Sequence, residues 1–192
     1  MQLFPAFLKL AGRRTVVVGG SAVAASKVRA LLDASADVVV VAPEVSANIK
    51  RAGVSVVQRA FEPADLDDAW LVVAAATPDV NRQVARAAEN RRVFVNAVDD
   101  PPNASLYLGG VIRRAGVTVA ISTDGHAPAL AGLLREGLDA VIPTDHLERW
   151  MQEATRLRGV WRSEGVPMAE RRPQLLNSLV RLYDRPEVGE LR

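Results

Sequence analysis

Thr15-Val16-Val17-Val18-Gly19-Gly20-Ser21-Ala22-Val23-Ala24 is the stretch on which the fold turns. The valines read as a strand buried on both faces, and the glycines end it. From Ala22 to Ala34 the spacing of Val28, Leu31 and Leu32 reads as a helix. Strand, glycine turn and helix in that order are the context a dinucleotide fingerprint requires. Gly19 permits the tight turn, Ala24 allows close packing of helix on sheet, and the helix start offers N–H groups to a pyrophosphate. Ser21 stands where the fingerprint has its middle glycine; it can still approach a phosphate and donate its hydroxyl. The competing reading is a plain βα turn.

Outward from this stretch, strand and helix patterns alternate. Asp37 to Val41 is a second strand stopped by Pro43, and Val45 to Arg51 is a short helix closed by Gly53. Val54 to Gln58 and Trp70 to Ala75 are further strands, the latter continuously apolar as a doubly buried strand should be. Asp79 to Asn90 is helical, and Val93 to Val95 reads as a buried fifth strand. Strands separated by helices imply a parallel sheet with right-handed crossovers. The pattern then changes. Ser105 to Leu108 and Val117 to Ser122 are strand-like with only Gly109 to Gly116 between them, which predicts a hairpin arm. Helices are expected from Pro128 to about Val141, from about Asp145 to Trp161 with Thr144 as N-cap, and over Leu175 to Tyr183 with Pro173 in the first turn. Residues 184–192 read as frayed. The expected organisation is an α/β Rossmann-type domain over 1–112, a strand-plus-helix dimerisation region over 113–143 and a helical C-terminal domain over 144–192. A two-stranded arm is marginal alone, so a second copy of the chain is the simplest partner for it.

Composition narrows the function classes. Of 192 residues, 49% are hydrophobic and 24% charged, an ordinary globular balance. Aromatic residues make up only 5%, too few for a base-stacking platform, and the formal net charge is +2 without a run of like charges. Neither nucleic acid nor membrane is an expected partner. Cysteine is absent, which excludes disulfides, thiol catalysis, thiolate metal sites and iron–sulfur clusters. The start Met1-Gln2-Leu3-Phe4-Pro5 lacks the pattern of a signal peptide, and a cytoplasmic location is expected.

Candidate site residues cluster where strands end. In an open α/β sheet, ligands sit outside the carboxyl ends of the strands, so Asp99 and the Gly19 turn face one crevice. Asp99 reads as a general base or proton acceptor; its bland role, shared with Asp100, is to form the turn before Pro101-Pro102. Glu44, after Pro43, suits either a ribose hydroxyl or the start of the next helix. No arginine stands there to read a 2′-phosphate, which favours NAD over NADP. Thr77 either touches the cofactor or caps a helix. Ser122-Thr123-Asp124-Gly125-His126 leads into a helix and suits an anion, with ordinary capping by Thr123 or Asp124 as the alternative. His126 reads as a proton carrier or transient metal ligand, and His146 as a surface residue. Two isolated histidines do not make a stable metal site, so no resident metal is expected. Arg113, Arg114 and Arg135 suit substrate carboxylates or plain surface.

An ordered set of residues adds a family resemblance. The set comprises Leu3-Phe4-Pro5, Val18-Gly19-Gly20 before Val23-Ala24, Lys27, Ala75-Ala76-Thr77 and Asn81. It continues with Asn96-Ala97-Val98-Asp99 followed by Pro101 and Ala104-Ser105, then Val119-Ala120-Ile121-Ser122, Gly125, Pro128 and Leu133-Leu134-Arg135-Glu136. Over nearly its whole length the chain resembles the precorrin-2 dehydrogenase/sirohydrochlorin ferrochelatase module of siroheme synthase. The resemblance implies a homodimer that oxidises precorrin-2 to sirohydrochlorin with NAD, and in many members also inserts ferrous iron to give siroheme. It implies that Asp99 is the essential aspartate and that NAD lies against Ala22, Val23, Pro43 and Glu44. With the residue readings above, the expected cofactor residues are Gly19, Gly20, Ser21, Ala22, Val23, Pro43, Glu44 and Thr77, and the expected substrate residues are Asn96, Ser105, Thr123, His126 and Arg135. The chain departs from the family pattern at Ser21, Thr123 and Asp124. The class set against this enzyme is a dimeric NAD-sensing domain without catalysis, which needs no Asp99.

Overall fold

The computed structural model describes residues 3–183. The chain divides into two compact units, Met1–Leu108 with Ser122–Ala127, and Gly109–Ile121 with Pro128–Arg192. The sequence boundary at 112 therefore falls inside a strand, and the hairpin joins the C-terminal helices in one unit. Residues 184–192 lie outside the described residues.

The first unit is a five-stranded parallel sheet. Its strands are β1 (Arg14–Val18), β2 (Asp37–Val41), β3 (Ser55–Val57), β4 (Leu71–Ala74) and β5 (Phe94–Ala97), in the order β3-β2-β1-β4-β5. This is a Rossmann-type order, whose switch point lies between β1 and β4. Helices α1 (Ala22–Asp33), α2 (Ala47–Arg51) and α3 (Pro78–Arg91) make crossovers.

Valine-rich strands suit this sheet because both faces are covered. Val16, Val18, Val39, Val41, Val72 and Val95 pack with Leu66 and with Val84, Ala87 and Ala88 of α3. The alternate residues Val17, Val38, Val40, Leu71 and Val73 pack with Ala24, Val28 and Leu31 of α1 and Ile49 of α2. The period of two thus fills two cores from one set of strands. Two sequence readings are corrected at the strand ends. Trp70 precedes β4, is half exposed and lies under the Arg13 guanidinium, 4.0 Å from the ring centroid. Phe94 is half exposed because β5 is an edge strand.

Between β3 and β4, Arg59 forms a two-pronged pair with the buried Asp65, at 2.9 and 2.6 Å, and Asp65 also accepts the Glu62 N–H at 2.8 Å. Burial alone would raise the Asp65 carboxyl. The Arg59 hydrogen bond, the Glu62 amide and the charges of Arg59 and Arg14 outweigh it and hold the group below its ordinary value.

The second unit contains the antiparallel pair β6 (Gly110–Arg114) and β7 (Val117–Ile121), then α4 (Pro128–Val141), α5 (Thr144–Glu164) and α6 (Met168–Arg181). The hairpin turn is only Ala115-Gly116, both left-handed (φ 47° and 79°), so the stretch expected as a loop is mostly strand. Ser105 to Leu108, expected as a strand of this arm, instead belongs to the first unit. Thr144 is the first helical residue of α5, and Pro143 takes the cap position. Pro173 lies inside α6 rather than in its first turn. Polar bonds tie α5 to α6 and to a residue just beyond it: Trp161 Nε1 donates to Gln174 at 2.7 Å, Ser178 to Glu153, and Trp150 Nε1 to the hydroxyl of Tyr183, which follows α6, at 2.9 Å. His146, expected as plain surface, has its Nδ1 3.0 Å from that hydroxyl. Among the described residues, no helix is long and apolar enough to cross a membrane.

Candidate functional site

The carboxyl edge of the sheet is level across four strands, because Val18 pairs with Val41 and Ala74, and Ala74 with Ala97. The loops that leave this edge carry the candidate residues. Gly19 lies at φ +129°, open to glycine but not to residues with a Cβ. A Cβ on Gly19 would stand 2.2 Å from the Ala75 carbonyl oxygen, and one on Gly20 would stand 1.8 Å from that of Glu44. The two glycines therefore let the loops after β4 and β2 close onto the turn. Ser21 spends its hydroxyl on its own helix, accepting the Ala24 N–H at 3.4 Å as the N-cap of α1.

The turn is suited to an anion. Among the described residues, the N–H groups of Gly20, Ser21, Ala22 and Val23 have no protein acceptor, whereas Gly19 donates to Val41 at 3.0 Å. Four successive free donors at the start of a twelve-residue helix fit a pyrophosphate. Pro43 and Glu44 are exposed after β2, and among the described residues no hydrogen bond engages the Glu44 carboxylate. Thr77 takes the N-cap position of α3 without a side-chain capping bond, which leaves its hydroxyl available at this edge.

Asp99 lies two residues beyond β5. The Asp100 N–H reaches the Ala97 carbonyl at 3.4 Å, and Asp99 occupies the left-handed place of this turn at φ 55°. A non-glycine residue there carries backbone strain, which aspartate tolerates better than most. Its carboxylate is exposed and makes no hydrogen bond or ion pair among the described residues. Asp100 is the occupied one, accepting Asn103 Nδ2 at 2.8 Å. With β5 two strands from β1, the sheet spacing puts about 10 Å between the end of β5 and the glycine turn.

Asn96 and Ser105 hold the ends of the Asp99 loop. Asn96 is buried and donates Nδ2 to the Leu106 carbonyl at 3.0 Å, and Ser105 Oγ accepts the Val95 N–H at 2.9 Å. The Ser105 and Leu106 amides both donate to the Val95 carbonyl, at 2.9 and 3.0 Å. Both side chains are thus committed to backbone.

The Ser122–Ala127 segment packs on the same loop. A Cβ on Gly125 (φ +76°) would meet Tyr107 Cε1 at 2.9 Å and Pro101 Cγ at 3.2 Å. Thr123 caps its own turn, its carbonyl accepting the His126 N–H at 2.9 Å and its Oγ1 the Ala127 N–H at 3.3 Å. The turn therefore sets the half-buried Asp124 and the exposed His126 close in chain to residues packed on the Asp99 loop. Tyr107, which the sequence does not signal, donates its hydroxyl to the Pro101 carbonyl at 3.3 Å and braces both segments.

Arg135 and the other candidate arginines belong to the second unit. Arg135 bonds to Glu136 at 3.1 Å, and Arg114 to the Ile142 carbonyl at 2.6 Å and Asp139 at 3.0 Å. Arg113 is exposed. No group of three or more metal-ligating side chains exists among the described residues.

A sequence model of the putative NAD(P)-binding family matches residues 6–110, the strands and loops that carry the free amides. The chain belongs to this family. It is 42% identical over 177 residues to siroheme synthase 2 of Cronobacter sakazakii and 39% identical to the siroheme synthase of Salmonella arizonae. Both alignments cover 90% of this chain and 38% of the relative, so the chain spans under two fifths of the length of these enzymes. This similarity agrees with the resemblance read from the residues. The structure of SirC, a precorrin-2 dehydrogenase, superposes with a TM-score of 0.71 over 91% of this chain and 88% of that one. At 24% identity, that likeness establishes the shared fold.

Proposed function

We propose that this chain is an NAD-dependent dehydrogenase that oxidises precorrin-2 to sirohydrochlorin, working as a cytoplasmic homodimer. The observation that carries the reading is Asp99. It is an unpartnered carboxylate held in a left-handed turn, on the same sheet edge as four free helix-start amides. The similarity to siroheme synthases supplies the substrate class.

Bound NAD would supply the hydride acceptor. The protein's own residues do the rest. The Gly20 to Val23 amides hold the pyrophosphate, and Glu44 meets the adenosine ribose, where its charge repels a 2′-phosphate and disfavours NADP. Asp99 takes the proton that leaves the macrocycle as the hydride departs, which balances a two-electron oxidation. Asn96 and Ser105 keep the Asp99 loop in place, while Thr123 and His126 face the substrate. Ferrous iron insertion, with iron as substrate, is the second reaction we assign to this site. It releases two pyrrole protons, and in this reading Asp99 accepts them one at a time, handing the first to solvent before taking the second.

The test is an anaerobic assay of freshly made precorrin-2 with NAD, following sirohydrochlorin absorbance. We expect product from the wild type and a loss of about 10²-fold or more in Asp99→Ala, with NAD affinity unchanged. A fully active Asp99→Ala protein defeats the role given to this carboxylate. Bound NAD without product marks a sensing domain or another substrate.

A further inference from the structure

Asn81 is a polar amide in an apolar layer. It lies on α3, is 3% exposed, and shares the helix with the core residues Val84, Ala87 and Ala88. Such a group persists in a core only where it is hydrogen-bonded. Its Oδ1 accepts the N–H of Ala76 at 3.0 Å. Ala76 follows Ala75, which is tied to β1 through its own N–H to the Val18 carbonyl at 2.8 Å. The Ala75 carbonyl occupies the space that a Cβ on Gly19 would need. A continuous series of contacts thus runs from the interior of α3, through the loop after β4, to the glycine turn. Thr77 leaves its hydroxyl out of helix capping, so Asn81 is the side chain that fixes this loop.

We propose that Asn81 is a positioning residue for the dinucleotide site. Its Oδ1 holds the Ala75–Thr77 backbone where the Ala75 carbonyl shapes the Gly19 turn and the Thr77 hydroxyl faces the cofactor. Asn81 itself touches no ligand. The proposal rests on the cofactor reading above and adds to it a residue that acts from the core.

Three variants separate the hydrogen bond from simple packing. Asn81→Leu keeps the volume and removes the acceptor, Asn81→Asp keeps an acceptor, and Asn81→Ala repeats the test should the leucine variant fail to fold. NAD affinity is read by calorimetric titration, turnover at saturating NAD, and the Ala76 amide by hydrogen exchange. We expect the leucine variant to bind NAD about tenfold more weakly and exchange Ala76 faster. Its kcat should stay within about twofold, and the aspartate variant should bind within about threefold of wild type. Wild-type affinity in the leucine or alanine variant overturns the proposal, as does an aspartate variant as weak as the leucine one. Wild-type protein that binds neither NAD nor NADP overturns the cofactor reading and the proposal with it.

Discussion

Leu71 in β4 and Leu133 in α4 are the same side chain in two settings: the first is 1% exposed and the second 67%. Each stands for its unit. The first unit closes two apolar clusters around its sheet within one chain. The second buries, among the described residues, only Ile112, Ala131 and Trp161. Its α4 leaves Leu130, Leu133, Leu134, Leu138 and Val141 on the surface. A monomer rarely keeps so continuous an apolar face in water. The difference teaches that apolar patterning alone does not locate a core: the helix period on α4 is as clean as that of α1, yet among the described residues its leucines stay exposed. This is the physical ground for proposing the homodimer.

Truncating both leucines is the sharpest way to break the comparison. Leu71→Ala should cost about 2–5 kcal/mol of unfolding free energy, read by urea titration, because it opens a cavity in a closed core. Leu133→Ala in dilute protein should cost under about 0.5 kcal/mol, since little packing is lost. Equal costs would mean that α4 already has its partner in one chain. The next effect concerns association. Leu133→Glu should weaken self-association by about 2 kcal/mol, roughly thirtyfold, read by sedimentation. A wild-type protein that stays monomeric at high concentration would remove the dimer from the proposal.

The smallest effect belongs to the polar pair inside the first unit. The folded-state pKa of Asp65 is lowered, so its stabilisation is complete above its ordinary value near pH 4. It is lost as pH falls through the lowered value. The urea midpoint of the wild type should therefore drop below about pH 4 more steeply than that of Asp65→Asn. The variant should be less stable by about 1–2 kcal/mol at pH 6, because Arg59 is partly screened by solvent, and the two curves should converge in acid.

The sheet was readable where sequence signals are local. Asp37 to Val41 and Pro128 to Val141 match their elements end to end, because a proline stops the first and starts the second. The hairpin is hard to place from sequence because its turn, Ala115-Gly116, lacks the asparagine or aspartate that marks such turns. Proline is expected at a helix start, but α6 takes Pro173 in its interior. At the proposed site, the position of Asp99 just past a strand is legible in the sequence. The work of Asn96 and Ser105 is not, since both reach ten residues along the chain to backbone partners. Nor is Tyr107, whose bracing role exists only once Pro101 and Gly125 meet.

The bonds from Ser105 and Leu106 to Val95 have a consequence for the molecule's behaviour in a crowded cell. An open parallel sheet ends in two rows of unpaired backbone groups, each a template on which another chain can polymerise. Here the β5 margin is partly occupied by the protein's own next segment. The opposite margin, β3, is three residues long, too short to seed an extended ladder. The segment that fixes the Asp99 loop thus also guards the sheet against edge-to-edge aggregation.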